Sequence, residues 1–302
     1  MITRRQFLRW IASLGVVGAA AAAYGFFFEP MSTPRITRYS VTPRRWPAGF
    51  NLKIAVLADI HACHQWMPPE RLRSIVATTN NLGADLIVLL GDYDAGHRFV
   101  TERVHPDEWS RELAALRAPL GVHAILGNHD WWGDKPAQRT GAGPIAGRVA
   151  LESVGIPVLE NRAVRLDKAG APFWLVGLGD QLAFLPSLRT HPARRMGVDD
   201  LDGSLAKVTD DSPVILLAHE PDIAVRVPER VALTLSGHTH GGQFRLFGWS
   251  PIVPSDYGNR FAYGHVREKC DLIVSGGLGC SIVPVRFGVP PEIVLVSLGS
   301  TA

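Results

Sequence analysis

The chain has 302 residues, 46% of them hydrophobic and 20% charged, so it is too apolar for a disordered protein and long enough for a sizeable core. Its net charge of +3 is unevenly distributed. Residues 1–50 hold seven arginines and one acid, whereas the other residues hold 24 basic and 27 acidic side chains. Because no stripe of Lys and Arg interleaved with aromatics follows residue 50, we expect no nucleic-acid partner.

Residues 1–30 have the pattern of a targeting segment. Arg4, Arg5 and Arg9 precede Ile11–Phe28, a stretch of 18 uncharged residues that is near the short end of what spans a bilayer. The run Thr-Arg-Arg-Gln-Phe-Leu, which begins at Thr3, resembles the twin-arginine export signal. The resemblance implies that the export machinery is a partner and that the protein lies in the periplasm or on the extracytoplasmic face of the cytoplasmic membrane.

An ordinary N-terminal membrane anchor is the alternative interpretation of this segment, and it leaves the chain on the cytoplasmic face. Four further arginines follow the apolar stretch within residues 31–50 and compete with the first three for the positive-inside preference. The sequence therefore leaves open which side of the membrane the body occupies and whether the leader is cleaved. Residues 31–50, rich in Pro, Arg, Ser and Thr, are expected to be an extended linker.

Strands and helices are expected to alternate after residue 50. The first strand is predicted over 52–58, a helix over 69–82, the second strand over 86–90, a helix over 106–116 and the third strand over 122–126, from runs of buried type and from helical spacing. A short helix over 145–154 and strands over 173–178, 214–218, 231–235, 272–274 and 293–298 follow. This order predicts a single α/β domain over 51–302.

Polar residues follow the ends of five predicted strands. These motifs are Asp59-Ile60-His61, Gly91-Asp92, Gly127-Asn128-His129-Asp130, His219-Glu220-Pro221 and Gly237-His238-Thr239-His240. The carboxyl ends of strands in an α/β sheet form the crevice where ligands bind, so these side chains can converge although they are distant in sequence.

The residue types in these motifs predict a metal centre. Imidazoles and carboxylates without a thiolate suit Mn, Fe or Zn better than Mg or Ca. A central carboxylate is needed to bridge two cations, and Asp92 is the natural choice. Two divalent ions about 3.5–4 Å apart hold phosphoryl oxygens and generate hydroxide near neutral pH. We therefore expect phosphoester hydrolysis by hydroxide attack on phosphorus.

Taken in order, the five motifs resemble those of the calcineurin-like metallophosphoesterase family, over about residues 53–298. The resemblance implies a four-layer sandwich, with two packed mixed β-sheets flanked by helices. It also implies that Asp59, His61 and His240 hold one divalent ion, that Asn128, His219 and His238 hold the other, and that Asp92 bridges them. His129 is then the catalytic residue that donates a hydrogen bond or proton to the phosphate or leaving oxygen.

Longer runs around 126–133, 236–243 and 277–293 resemble bacterial membrane-associated or twin-arginine-exported phosphodiesterases. A phosphorylated small molecule or lipid is the expected substrate. A UDP-2,3-diacylglucosamine hydrolase of lipid A assembly, on the cytoplasmic face, is an alternative. A non-catalytic exported metal-binding or scaffold protein is another. One departure stands out, because many relatives carry a second acid three residues after the first in the second motif. Here Asp94 is one place early, which leaves open the carboxylate that orients His129.

Several other residues are ambiguous in the sequence alone. Trp131 and Trp132 are expected either to line a substrate groove or to pack beneath it. Arg286 is expected to form a structural ion pair rather than to bind substrate phosphate. The apolar run 182–186 is expected to be core rather than a lipid-contacting patch. His64 and Cys63 lie near the first motif, but the ligand set is complete without them.

Overall fold

The computed structural model describes residues 3–96, 98–185 and 196–299 of the chain. Eleven strands are present in these ranges. They are β1 Arg35–Val41, β2 Leu52–Leu57, β3 Leu86–Leu89, β4 Val122–Ala124, β5 Arg162–Lys168, β6 Ala171–Gly177, β7 Val214–Leu217, β8 Val231–Ser236, β9 Gly264–Arg267, β10 Asp271–Val274 and β11 Glu292–Leu298. Seven α-helices accompany them: α1 Arg4–Ala23, α2 Pro69–Asn80, α3 Pro106–Leu113, α4 Asn128–Gly133, α5 Lys135–Thr140, α6 Ala146–Ser153 and α7 Leu201–Leu205.

The strands form two mixed sheets, as the family resemblance implied. The first sheet has the order β1-β11-β2-β3-β4 and the second has the order β5-β6-β7-β8-β10-β9. In the first, β2, β3 and β4 run parallel and β11 is antiparallel to β2. In the second, β6, β7, β8 and β10 run parallel. Each parallel set directs its carboxyl ends to one edge, where ligands collect.

Three of the apolar clusters among the described residues hold the layers together. Side chains of the two sheets interdigitate in a central cluster that includes Ile54, Val88, Leu217 and Leu235. The other face of the first sheet packs against α2, α3 and α6, where Trp109 is wholly buried. The other face of the second sheet is covered by α7 and by the 3₁₀ turn Pro221–Val225. Helices therefore flank two packed sheets, which is the predicted α/β sandwich.

The segment 31–50 differs from the sequence expectation. It was expected to be a linker, but Arg35–Val41 forms β1 and pairs in parallel with β11 along its whole length. The sequence also gives no clear signal for β5 and β9. All three are edge strands, and β1 and β5 together have one buried residue, Val41, and six charged residues. Edge strands carry such side chains to avoid further pairing, so they lack the apolar run by which buried strands are recognised.

The N-terminal segment forms one long apolar helix. Thr3 caps α1, with its hydroxyl accepting from the backbone N–H of Gln6, and no residue of α1 is buried. A π-helical turn, Tyr24–Phe28, continues it. In the part of the chain that the structure describes, Arg4–Phe28 is the helix long and apolar enough to cross a bilayer, with a mean hydropathy of 1.8. A signal sequence has the same character.

Candidate metal centre

The predicted ligands meet at the edge where the parallel strands of both sheets end. Asp59, His61 and Asp92 follow β2 and β3 of the first sheet, while His219, His238 and His240 follow β7 and β8 of the second. The backbone is left-handed at five of them, Asp59, His61, Asp92, His238 and His240, with φ between 47° and 69°. This uncommon conformation occurs mostly with Asn, Asp and His among residues other than glycine, and it turns the chain sharply so that the side chains face the site.

Four ligands form the first cluster. The donor atoms of Asp59, His61, Asp92 and His240 all lie within 4.8 Å of one another. The Nε2 atoms of His61 and His240 are 3.1 Å apart, and His61 Nε2 is 3.4 Å from Asp92 Oδ2. Two imidazole nitrogens and two carboxylate oxygens this close together could hold one divalent cation.

A second cluster shares Asp92. The donor atoms of Asp92, His219 and His238 also lie within 4.8 Å of one another. Asp92 Oδ2 is 3.3 Å from His219 Nε2, and Asn128 Oδ1 is 3.0 Å from His238 Nδ1. The same oxygen of Asp92 therefore lies between the histidines of both clusters, as a bridging carboxylate requires.

Buried atoms without partners show that the donor set fits divalent ions. Asp59 Oδ2 and His219 Nε2 are buried and make no hydrogen bond, which is costly unless a cation takes that place. Backbone carbonyls orient the rings. His219 Nδ1 donates to Leu90 O over 2.6 Å, and His61 Nδ1 donates to Asp94 O over 3.1 Å. Each ring thereby turns its Nε2 lone pair toward the site, which is how metal-binding histidines are normally held.

Asp130 joins the second and third motifs. Its carboxylate accepts backbone N–H groups of Gly127, Asp92, Tyr93 and Asp94 at 2.8–3.2 Å. Gly127 has no room for a side chain, since a Cβ there would lie 2.3 Å from Asp92 Oδ1 and 2.7 Å from the His219 ring. Asp130 therefore holds the backbone on which the bridging carboxylate depends.

His129 lies beside the clusters and outside both of them. Its backbone N–H donates to Asp92 Oδ1 over 2.8 Å, and its Nε2 is 3.0 Å from the hydroxyl of Ser281. Its ring centroid is 4.9 Å from that of His61 and 5.1 Å from that of Trp132. Burial lowers the pKa of His129. The side chain is thus close enough to act on a group bound at the clusters.

No acid among the described residues orients the ring of His129. In that part of the chain, no carboxylate is bonded to the His129 ring, and the hydroxyl of Ser281 contacts its Nε2. Asp94, the acid that stands one place early, accepts instead from the indole N–H of Trp109 over 2.9 Å. Its carbonyl orients His61. Gly96 leaves the space beside the ring, because a Cβ there would lie 2.6 Å from His129 Nδ1.

Arg286 does not form the ion pair that the sequence led us to expect within the described residues. It is wholly buried, and its guanidinium donates to the carbonyls of Gly276, Gly279 and Val289 at 2.9 Å. No carboxylate within the described ranges pairs with it in a salt bridge. Its Nη2 lies 3.2 Å from His240 Nδ1. Arg286 therefore supports a predicted metal ligand from behind, and burial prevents it from meeting substrate.

Two further carboxyl groups lie behind His219. Donor atoms of Asp180, Glu220 and His219 lie within 4.8 Å of one another, and both Asp180 Oδ2 and Glu220 Oε1 are buried without a hydrogen-bond partner. Burial, followed by the charge of Glu220, raises the pKa of Asp180 well above its usual value. The sequence placed Glu220 in the fourth motif but gave it no role, and it gave no signal for Asp180.

The structure distinguishes the residues whose positions the sequence left ambiguous. Trp131 is buried and packs on Phe184, with ring centroids 5.9 Å apart, whereas Trp132 faces His129. Ala183 and Phe184 are buried, so this part of the run 182–186 is core, and Pro186 lies outside the described residues. His64 is directed to Glu102. His97 and His191 belong to none of the five motifs and lie outside the described ranges.

Metal binding should weaken as the solution becomes acidic. Burial raises the pKa of Asp59 to about 7, whereas burial lowers the pKa of His61 to about 3. Asp59 therefore holds a proton below about pH 7 that a metal must displace, while His61 holds none. We expect the apparent affinity for Mn²⁺ to fall at least about tenfold per pH unit below 7. Calorimetric titrations at pH 8, 7 and 6 measure this, and a constant affinity would contradict it.

Ser281→Ala should speed turnover without loss of metal. The hydroxyl contacts Nε2 of His129, the atom that must be free to meet the leaving oxygen. The substitution removes this competing hydrogen bond, worth about 0.5–1.5 kcal/mol, so kcat should rise about 2- to 10-fold. Ser281→Thr keeps the hydroxyl and should turn over at the unmodified rate. Metal content measured by mass spectrometry is the companion readout, and a fall in kcat together with a loss of metal would show that Ser281 serves the ligands instead.

Comparison with known proteins agrees with the geometry. The family model of the calcineurin-like phosphoesterases matches residues 52–242. The chain is 30% identical over 313 residues to the uncharacterized metallophosphoesterase YkuE of Bacillus subtilis (strain 168), with 99% of each chain covered. It is 28% identical to an uncharacterized metallophosphoesterase of Aquifex aeolicus (strain VF5), with 87% of this chain and 91% of the relative covered.

A third relative is from cattle, Bos taurus. It is named as a transmembrane protein with a metallophosphoesterase domain, and it is 31% identical to this chain, with 93% of this chain but 59% of the relative covered. The homology with the first relative extends over nearly the whole chain, and the family match includes all the predicted ligands. The chain therefore belongs to the calcineurin-like phosphoesterase family and is a metal-dependent phosphoester hydrolase.

Proposed function

We propose that this chain hydrolyses a phosphoester of a membrane amphiphile at a two-metal centre, on the extracytoplasmic face of the membrane. Two donor clusters that share one oxygen of Asp92 carry the two-metal part of the proposal. Asp59, His61 and His240 complete one cluster. Asn128, His219 and His238 complete the other. Mn, Fe and Zn all suit this donor set.

The two divalent ions, when bound, polarise the phosphoryl oxygens and lower the pKa of water. The chain itself supplies the remaining functions. Asp92 holds both clusters in register and, through the backbone N–H of His129, fixes the start of α4. His129 then presents Nε2 to the oxygen that leaves phosphorus and gives it a hydrogen bond or a proton. The hydroxyl of Ser281 contacts the same Nε2 over 3.0 Å, so it must release that atom when the leaving oxygen binds there.

A cavity beside His129 supports an amphiphilic substrate. It has a volume of about 610 Å³ and is lined by His129, Arg98 and Arg103 together with the apolar Leu185, Ile282 and Val283. The guanidinium groups of the two arginines can bind phosphate oxygens through paired N–H donors. The apolar residues can contact an acyl chain or another hydrocarbon portion of the substrate. A phosphorylated lipid matches both halves of this lining better than a small, wholly polar phosphoester does.

Hydrolysis of bis-p-nitrophenyl phosphate by the full chain tests the activity. We expect turnover after loading with Mn²⁺, loss on chelation and recovery when the metal is restored. Two results together would instead support a non-catalytic binding protein. The chain, loaded with two ions per molecule, would turn over neither this diester nor p-nitrophenyl phosphate, and His129→Ala would change nothing.

The position relative to the membrane rests on α1 and on the twin-arginine pattern in its first turns. Replacing both Arg4 and Arg5 with lysine should hold the chain on the cytoplasmic side, as shown by fractionation and protease protection of intact cells. Arg9→Lys is the matched control and should leave export unchanged. Unchanged localisation of the double variant would overturn export and favour the cytoplasmic-face hydrolase of UDP-2,3-diacylglucosamine.

A further inference from the structure

An apolar hairpin protrudes from the domain near the site. Leu246 and Trp249 exchange two backbone hydrogen bonds of 2.9 Å, which closes a tight turn with Phe247 and Gly248 at its tip. Phe247 is fully exposed, and Trp249 and Ile252 are 59% and 77% exposed. We refer to Phe244–Ile252 as the apolar hairpin. Large apolar side chains grouped in this way on a protein surface mark a site of interaction.

The backbone at the tip shows that this exposure is costly. Phe247 has φ 51° and Gly248 has φ 81°, and a turn with two left-handed residues favours Asn-Gly or Gly-Gly. A bulky aromatic side chain at the first position is strained. Because Phe247 packs against nothing in the described structure, the fold gains no stability from it. A partner outside the chain is the remaining reason to present an aromatic ring there.

The hairpin is continuous with the end of the apolar N-terminal helix. Phe244 stacks on Phe287 with ring centroids 5.2 Å apart, and Phe287 meets Tyr24 edge-on at 5.9 Å. Two hydrogen bonds fix the junction. The N–H of Arg286 donates to Gly25 O over 3.0 Å, and the N–H of Gly288 donates to Glu29 Oε2 over 3.0 Å.

The position of this junction indicates that the apolar hairpin contacts lipid. The apolar helix ends at Phe28, where Phe27, Phe28 and Met31 are exposed. The hairpin thus lies where an anchored domain meets the bilayer surface, the depth at which aromatic side chains collect. Exposed Arg35 and Arg38 follow in β1 and suit headgroup phosphates. We propose that the apolar hairpin inserts into the leaflet at the C-terminal end of the anchor.

Docking in this way turns the catalytic edge toward the membrane. The segment 279–288 contacts the anchor through Arg286 and Gly288, contacts His129 through Ser281, and places the exposed Ile282 at the cavity beside His129. The leaflet is therefore the source from which substrate reaches the cavity. This last step rests on the proposed function, whereas insertion of the hairpin does not.

An environment-sensitive label at the tip tests insertion directly. The three cysteines of the chain are buried, so Phe247→Cys in the full chain takes an NBD label selectively. In anionic phospholipid vesicles we expect blue-shifted emission and quenching by lipids that carry a shallow nitroxide. Glu229→Cys is the matched control, because Glu229 is exposed and precedes β8, at the opposite end of that strand from His238. It should show water-like emission and no quenching.

The readout needs neither metal nor turnover, so it is independent of the catalytic proposal. Ile252→Cys gives a second position if Phe247→Cys disturbs the turn, and we expect the same quenching there. Emission at both positions that matches the Glu229→Cys control would overturn the proposal. Blue-shifted emission that ignores the lipid nitroxide and rises with the protein-to-lipid ratio would also overturn it, because it would assign the hairpin to contacts between copies of this chain.

Discussion

Asp92→Asn should lower kcat/KM for bis-p-nitrophenyl phosphate by about 10³-fold or more and should reduce bound metal to one ion or none per chain. Oδ2 of Asp92 is the atom that both histidine clusters approach, at 3.4 Å from His61 and 3.3 Å from His219. An amide in its place has the same size but no charge to hold two cations together. Bound cations would stabilise the charge that develops on the phosphoryl group in the transition state, and losing that stabilisation costs several kcal/mol. Mass spectrometry of bound metal and steady-state kinetics measure the two effects.

His64→Gln is the matched control for this change. His64 follows the first motif in sequence but is directed to Glu102, and it belongs to neither cluster. We expect full metal content and near-normal activity from it. Two bound ions together with normal kinetics in Asp92→Asn would contradict the bridging role. Loss of metal from His64→Gln would show that the ligand set extends beyond the predicted residues.

His129→Ala should lower kcat by about 10²- to 10⁴-fold, the usual contribution of a positioned acid or base, while two metal ions remain bound. The imidazole lies next to the clusters but supplies no atom to them, so its removal spares the ligands. The loss should depend on the leaving group. p-Nitrophenolate departs without much help from an acid, whereas an alkoxide needs a proton, so a dialkyl phosphodiester should suffer more than bis-p-nitrophenyl phosphate.

This dependence on the leaving group separates two roles for His129. A residue that only binds the phosphate would lower the rates for both substrates by the same factor. Equal losses would therefore argue against donation to the leaving oxygen, and a loss of bound metal would argue that His129 maintains the clusters. Gly96→Ala offers an independent perturbation, since the added methyl group crowds His129 Nδ1 and should lower kcat in the same direction.

The catalytic edge could be predicted because its residues follow strands that are themselves easy to recognise. Buried parallel strands such as β2, β3 and β8 are short apolar runs, and the chemistry starts at the first polar residue after each. The spacing between Asp59 and His240 carries no meaning in the linear sequence. It acquires one only when the alternation of strands and helices brings the strand ends to a common edge.

The residues that contact His129 and the ligands could not be predicted in the same way. Ser281 and Arg286 act through a loop whose path depends on where the N-terminal helix ends and on backbone carbonyls that no side-chain pattern records. Arg286 in particular suggested an ion pair, because a buried guanidinium normally has a carboxylate partner. The structure satisfies it with carbonyls instead. Edge strand β1 could not be predicted for a related reason, because an edge strand needs no continuous apolar run.

The left-handed backbone at five of the predicted ligands has a consequence for the life of the protein in the cell. Each such residue costs on the order of 1–3 kcal/mol, and the bound ions offset that cost by ligating the same side chains. A chain starved of metal therefore bears the whole cost at the loops after β2, β3 and β8. These loops should be the first to open and to be cut by proteases, so metal supply would set the abundance of the protein as well as its activity.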